Sequence, residues 1–180
     1  MSETAIRDVG ESLITLLRSE LGSAGRGLVP DSEQIALESP VEAEKRGTRL
    51  TLFLYLVVPS GDLRNALPAR TTLSQGQRPP LVLSLYYLLT AFPPTSVPDP
   101  TDRTLDAHGL LGAAMQVFHD NAVMSGRLLL GQLDPSAELR ITPEPMTLED
   151  PARISSGLFD GAYRTSVVYQ VTPVHIDART

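Results

Sequence analysis

His119 stands beside Asp120, a pairing that can form half of a catalytic or metal-binding set. The histidine before it is His108, and on one helix that separation is about 16 Å along the axis, so a single metal ion cannot take both. His119 reads instead as a helix-terminal histidine, placed where the helix dipole favours a cation. His175 and Asp177 share one face of a strand, but two ligands do not make a metal site. Asp99, Asp102 and Asp106 flank a helix start, where carboxylates are expected, and calcium needs more oxygen ligands at loop spacing. Ser155-Ser156-Gly157 lacks the first glycine of a G-x-S-x-G nucleophile elbow and falls in a helical stretch. The glycine-rich run from Gly22 to Gly27 lacks the lysine and hydroxyl of a phosphate-binding loop and follows a helix, so it reads as a helix stop. With no cysteine in the chain, thiolate zinc sites, disulfides and cysteine nucleophiles are excluded. No catalytic, metal or cofactor constellation emerges, and the protein is read as a non-enzyme.

One polar cluster stands out. Between the apolar runs LTLFLYLVV (50–58) and LVLSLYYLLTAF (81–92) lies a loop carrying Arg64, Asn65, Arg70 and Arg78. Planar guanidinium groups pair bidentately with carboxylates and are enriched at interface centres, which makes these four residues the interface candidates. A solvated loop in which the asparagine makes a turn is the other reading of the same residues.

These residues need a scaffold. Ile6, Val9, Leu13, Leu16, Leu17 and Leu21 recur at helical spacing and predict a helix over 3–21, with Ser2 as its cap and Glu3 in its first turn. Ile35 and Leu37 alternate with polar residues in a short strand that stops before Pro40, and the charged segment 40–47 reads as a solvated turn. In the first apolar run Leu50, Leu52, Leu54 and Leu56 fall on one face, with Thr51, Phe53, Tyr55 and Val57 on the other. The second run repeats the pattern over 81–92. Neither reaches the roughly 20 residues that span a bilayer, so both read as central strands needing cover on two sides, from helices or another subunit. Pro93, Pro94, Pro98 and Pro100 force an extended linker. A second helix is predicted over about 105–120, a short segment at 127–130 and a strand at 139–142. Thr147-Leu148-Glu149-Asp150 matches a capping pattern that opens a third helix. The last strand is placed at 164–171, with Pro173 marking a bulge or a sheet edge. The fold class is α+β: one domain over 1–180, with a mixed or antiparallel central sheet flanked by about three helices.

At 180 residues the chain is long enough to bury roughly 70% of the surface that its unfolded form exposes. Its net charge of −6 argues against nucleic-acid binding, and no run is long enough for membrane insertion. Of 15 basic residues only Lys45 is lysine, a bias open to two sources, a GC-rich genome or interface use. The opening MSETAIRDVGESLITLL carries early acidic residues and no basic segment ahead of an apolar core, so no secretory signal is expected and the cytoplasm is the default location.

Several stretches taken in order resemble one family. They are Arg7-Asp8-Val9, Leu63-Arg64-Asn65 after LFLYLVV, PPLVLSLYYLLTAF from Pro79 to Phe92, Leu110-Leu111-Gly112 with Phe118-His119-Asp120, and Tyr163-Arg164-Thr165-Ser166 leading to Val174-His175-Ile176-Asp177. The chain thereby resembles the tail-terminator, or cap, proteins of extracellular contractile injection systems, phage-tail-like particles of the virulence-cassette and antifeeding-prophage type. The pattern departs at Ile154-Ser155-Ser156-Gly157-Leu158, where a bulky Leu-Trp pair is expected. The resemblance implies a phage tail-terminator-like fold in its short, single-domain form. It also implies a homohexameric ring that caps the last tube and sheath layers, within a particle assembled in the cytoplasm and open to release. Its partners are then itself, the tube protein and the sheath protein, with no cofactor. A non-catalytic adaptor linking the particle to another protein or membrane is the alternative, and a hydrolase a more distant one.

Overall fold

A computed structural model of the chain describes residues 3–60, 80–146 and 164–177. Helix α1, Ala5–Leu21, forms because its apolar residues return every three or four positions, burying Val9, Leu13, Leu16, Leu17 and Leu21 in one stripe. Burying each of those leucines contributes about 1.5–3 kcal/mol relative to leaving it in water. The helix opens at Thr4, so Glu3 precedes it and Asp8 is the acid of its first turn; the expected cap, Ser2, lies outside the described residues. It ends at Gly22, whose N–H donates to the Arg18 carbonyl.

Strand β1, Ile35–Ala36, is followed by helix α2, Pro40–Arg46, where the sequence suggests a solvated turn. Local end signals outweigh the charge of this segment. Ser39 accepts from the Glu42 N–H at 3.4 Å and Pro40 occupies the first turn; Gly47 closes the helix at φ 73°, where its N–H reaches the Ala43 carbonyl.

Strands β2 (Leu50–Pro59) and β3 (Leu81–Ala91) form an antiparallel pair. The register slips between Leu54 and Leu56, leaving Tyr55 as the extra residue of a bulge. This corrects the expected leucine face. Leu50, Leu52 and Leu54 share the face of Leu89 and Tyr87, whereas Leu56 lies opposite Tyr86 on the other face. Helix α3 spans Pro100–Asp120 and starts earlier than its apolar stripe suggests. The Asp99 carboxylate accepts from the Thr101 and Asp102 N–H groups at 2.8 and 2.9 Å, and Pro100 is a helix-opening residue rather than part of the linker.

The chain then adds β4 (Val123–Met124), a short 3-10 turn at Gly126–Leu128, β5 (Leu139–Glu144) and β6 (Ser166–Ile176). β4 is too short to leave a sequence signal. β6 runs on beyond Pro173, which sits in a bulge opposite β3 and so removes no ladder hydrogen bond. The helix expected from Thr147 lies outside the described residues.

The strand order is β1-β2-β3-β6-β5-β4, parallel only between β1 and β2. α1 and α3 supply one continuous core with one face of this mixed sheet; there the Phe118 and Tyr169 rings meet edge to face at 5.0 Å. The other face of β3 and β6 carries a line of cross-strand pairs. Thr90 and Ser166 bond at 2.8 Å, Leu88 packs with Val168, Gln170 Nε2 donates to the Tyr86 hydroxyl at 2.9 Å, and Ser84 donates to Thr172 at 3.2 Å. Each such pair contributes about 0.2–1 kcal/mol and fixes the register between the two central strands.

Candidate assembly surface

Arg64, Asn65, Arg70 and Arg78 lie outside the described residues, but the strands that bracket them are described. The Ser60 N–H donates to the Val82 carbonyl at 2.8 Å, which holds the two ends of that segment together at the distal end of the β2–β3 pair. At this end β2 changes character: Leu56, Val57 and Val58 are 45%, 39% and 36% exposed, and Leu81 across the pair is 46% exposed. Leu85 and Ser84, the partners of Val57 and Val58, are buried, whereas Tyr86 opposite Leu56 is half-buried. The apolar exposure at this end thus falls on the last residues of β2 and the first residue of β3. β1 pairs with β2 only at Leu50 and Thr51, so among the described residues no strand lies along the outer edge of Leu56–Pro59.

The opposite margin is built differently. β4 covers β5 only at Arg140 and Leu139; beyond that point β5 has Pro143, which lacks an N–H, and the exposed Arg140 side chain stands beside Glu138. Short strands, prolines and charges are the devices by which sheet edges are kept from pairing.

The residues examined for chemistry are dispersed. His108 and His119 are both exposed on α3, and Asp120 ends that helix. His119 borders an open, mostly apolar cleft of about 390 Å³ lined by Met115, Phe118, Ile141, Pro143 and Tyr169. Burial pulls the His175 pKa below its ordinary value, and the charge of Asp177 opposes that shift only in part. Asp99 is a helix cap and Asp106 pairs with Arg49 on β2's approach, so neither carboxylate is left to gather an ion. Among the described residues no group of three or more histidine or acidic side chains is placed to hold a metal. Nor is any described helix long and apolar enough to cross a membrane. Ser155-Ser156-Gly157 lies outside the described residues.

One organising cluster escaped the sequence reading. Asp8 is 3% exposed on the buried face of α1. Its carboxylate accepts from the Thr4 hydroxyl at 2.6 Å and from the Gln132 N–H at 3.0 Å. One turn on, the Ser12 hydroxyl accepts from the Leu130 N–H at 2.9 Å and donates to the Asp8 carbonyl. Burial raises the Asp8 pKa, but the bonds from Thr4 and Gln132 and the charge of Arg7 outweigh it and hold the carboxyl below the usual range. The effect is to clamp the loop after β4 onto the start of α1. The available signal was two polar residues, four apart, inside an otherwise apolar stripe.

Residues 8–180 match the family model described as the Pvc16 N-terminal domain. The chain belongs to the Pvc16 N-terminal domain family. Comparison with curated proteins gives no match. Among solved structures this Pvc16 N-terminal domain is similar to the sheath/tube terminator, in its extended state, of the extracellular contractile injection system PVC. That likeness has a TM-score of 0.63 at 18% identity, over 100% of this chain and 58% of the other. It is also similar to the tube-terminating cap of the anti-feeding prophage, with a TM-score of 0.59 at 16% identity, over 97% of this chain and 55% of the other. The chain thus spans a little over half the length of either protein, and at these identities what is shared is the fold: an α+β arrangement with a mixed six-stranded sheet.

Proposed function

We propose that this protein is a structural cap: a ring-forming subunit that binds the last layer of the tube and sheath of a contractile injection particle and ends their polymerisation. The observation that carries this reading is family membership over residues 8–180, together with a fold shared along the whole chain with two proteins described as terminators. The physics suits the role. Head-to-tail contacts that do not close extend without limit, because each added layer recreates the acceptor surface for the next. A terminator binds that surface and presents a different one. Such a task needs a rigid scaffold and docking margins rather than chemistry, so the role we assign is non-enzymatic. The ring is a homohexamer by resemblance, and its location is that of the particle, assembled in the cytoplasm. Arg64, Asn65, Arg70 and Arg78 are proposed as contacts within the ring or with the tail.

Deleting the gene from a particle-producing strain tests the reading by electron microscopy. Overlong, variable or unstable sheaths are expected. A sheath-length distribution as narrow as that of the parent strain would remove the cap reading, because an adaptor or an enzyme leaves length unchanged.

A further inference from the structure

Between β4 and β5 the chain leaves the sheet and comes back to the same place. The Gly126 N–H donates to the Pro135 carbonyl at 3.0 Å and closes the base of a loop. Within and just beyond it the bonds are local. The Leu129 N–H reaches the Gly126 carbonyl at 3.1 Å and the Leu133 N–H the Leu130 carbonyl at 3.4 Å, while the Asp134 carboxylate accepts from the Ser136 N–H at 2.8 Å. A loop with joined ends and bonds of its own can keep its shape while its contacts to the body are lost. Those contacts alternate along the chain. Leu129 and Leu133 are buried in the main core, and between them the Leu130 and Gln132 N–H groups bond outward, to Ser12 Oγ and Asp8 Oδ2 on α1. Gly131 stands between the two ties, and a Cβ there would lie 2.4 Å from the Asp8 carboxyl carbon. Asp8 takes part in both ties. Its carboxylate accepts one, and its carbonyl accepts from the Ser12 hydroxyl at 2.7 Å, which leaves that oxygen free to be the acceptor of the other.

We propose that the loop 126–135 opens from the body as one unit, short of global unfolding, and that the Asp8 carboxylate is its latch. The inference stands apart from the cap reading and needs no partner. At neutral pH the latch is ionised, because hydrogen bonds and Arg7 hold the carboxyl below the usual range. A hydrogen bond to an ionised acceptor is roughly twice as strong as a neutral one, so the Gln132 tie depends on that charge. Opening gives up the two ties and the burial of Leu129 and Leu133, a small part of a core that runs through α1, α3 and the sheet. Surface loops attached by few contacts lie at the low-stability end of a structure. Once open, the unit uncovers Leu129, Leu133 and the Asp8–Ser12 side of α1, an apolar surface with two fixed polar groups.

Native-state hydrogen exchange tests this, resolved to single amides on the full chain and repeated at low denaturant concentrations. The Leu130 and Gln132 amides should open with one shared free energy, below that of the β3 and β6 ladder amides and with a smaller denaturant slope. Exchange of both at the free energy and slope of the ladder amides would mean that the loop opens only with the whole fold, and would overturn the proposal. Asp8→Asn keeps the shape of the side chain and removes its charge. Both amides should then exchange about tenfold faster, Leu130 included, although its acceptor is Ser12. No rise, or a rise confined to Gln132, would overturn the latch, because the bonds then break singly. If Asp8→Asn does not fold, Ser12→Ala reads the same coupling from the other side. It should speed Gln132 as well as Leu130, and a rise at Leu130 alone would overturn the proposal.

Discussion

Replacing Gly131 by alanine tests the Asp8 clamp directly. Gly131 sits at φ 68°, a left-handed backbone that costs an L-residue about 1–2 kcal/mol. A Cβ at this position would also lie 2.6 Å from Asp8 Oδ1 and 2.8 Å from Oδ2, so the carboxylate must move. It cannot move without weakening its bond from the Gln132 N–H at 3.0 Å, and bonds to buried charged groups contribute about 1.5–3 kcal/mol. Gly131→Ala is therefore expected to cost about 2.5–5 kcal/mol, a large share of a domain's stability. Asp8→Ala removes the obstruction but orphans the Gln132 N–H, at about 2–4 kcal/mol. In the double variant only the backbone cost of alanine remains at 131, so the two changes together should cost about 1.5–3 kcal/mol less than their sum. Denaturant unfolding followed by circular dichroism at pH 7 measures the cycle. Additivity within about 0.5 kcal/mol would refute the steric and electrostatic linkage between the two residues. The pH dependence has a definite sign. The folded Asp8 carboxyl titrates below its unfolded value, so its contribution is complete above the unfolded carboxylate pKa and is lost as pH falls through the folded one. The stability gap between wild type and Asp8→Asn should narrow in that acid window.

The Tyr87 hydroxyl is buried without a hydrogen-bond partner among the described residues, and burial pushes its pKa up, so Tyr87→Phe should be neutral or stabilising by up to about 1 kcal/mol in the same assay; a loss above about 1.5 kcal/mol would show a bond in place. For His175, burial lowers the folded pKa, so the unfolded state binds the proton more tightly and stability is complete above the unfolded value near pH 6.5. Stability should fall on acidification from there down to the folded pKa, and His175→Gln should flatten that part of the curve; an unchanged curve would count against the assignment.

Along single elements the sequence determined much of this protein, because local signals there agree. The stripe of α1, the long apolar runs of β2 and β3 and the buried face of α3 each repeat with the period of the element they form, and each lies close to where that period places it. The helix-stop role of Gly22 and the proline-tolerant bulge at Pro173 were legible for the same reason, since their backbone constraints are properties of one residue. Legibility failed where short-range capping opposed composition. Ser39, Pro40 and Gly47 make a helix of a segment whose charges suggest a turn, and Asp99 with Pro100 starts α3 within a run of prolines that reads as linker. What only the tertiary structure decided is relational. The bulge at Tyr55 depends on pairing with β3 and turns Leu56 to the opposite face, against strict alternation. The clamp of Asp8 and Ser12 onto residues 130–132 joins positions far apart in the chain, and no local period encodes such a contact. That no described strand lies beside Leu56–Pro59 likewise appears only once the sheet order is known, because an edge is defined by its neighbours in the sheet.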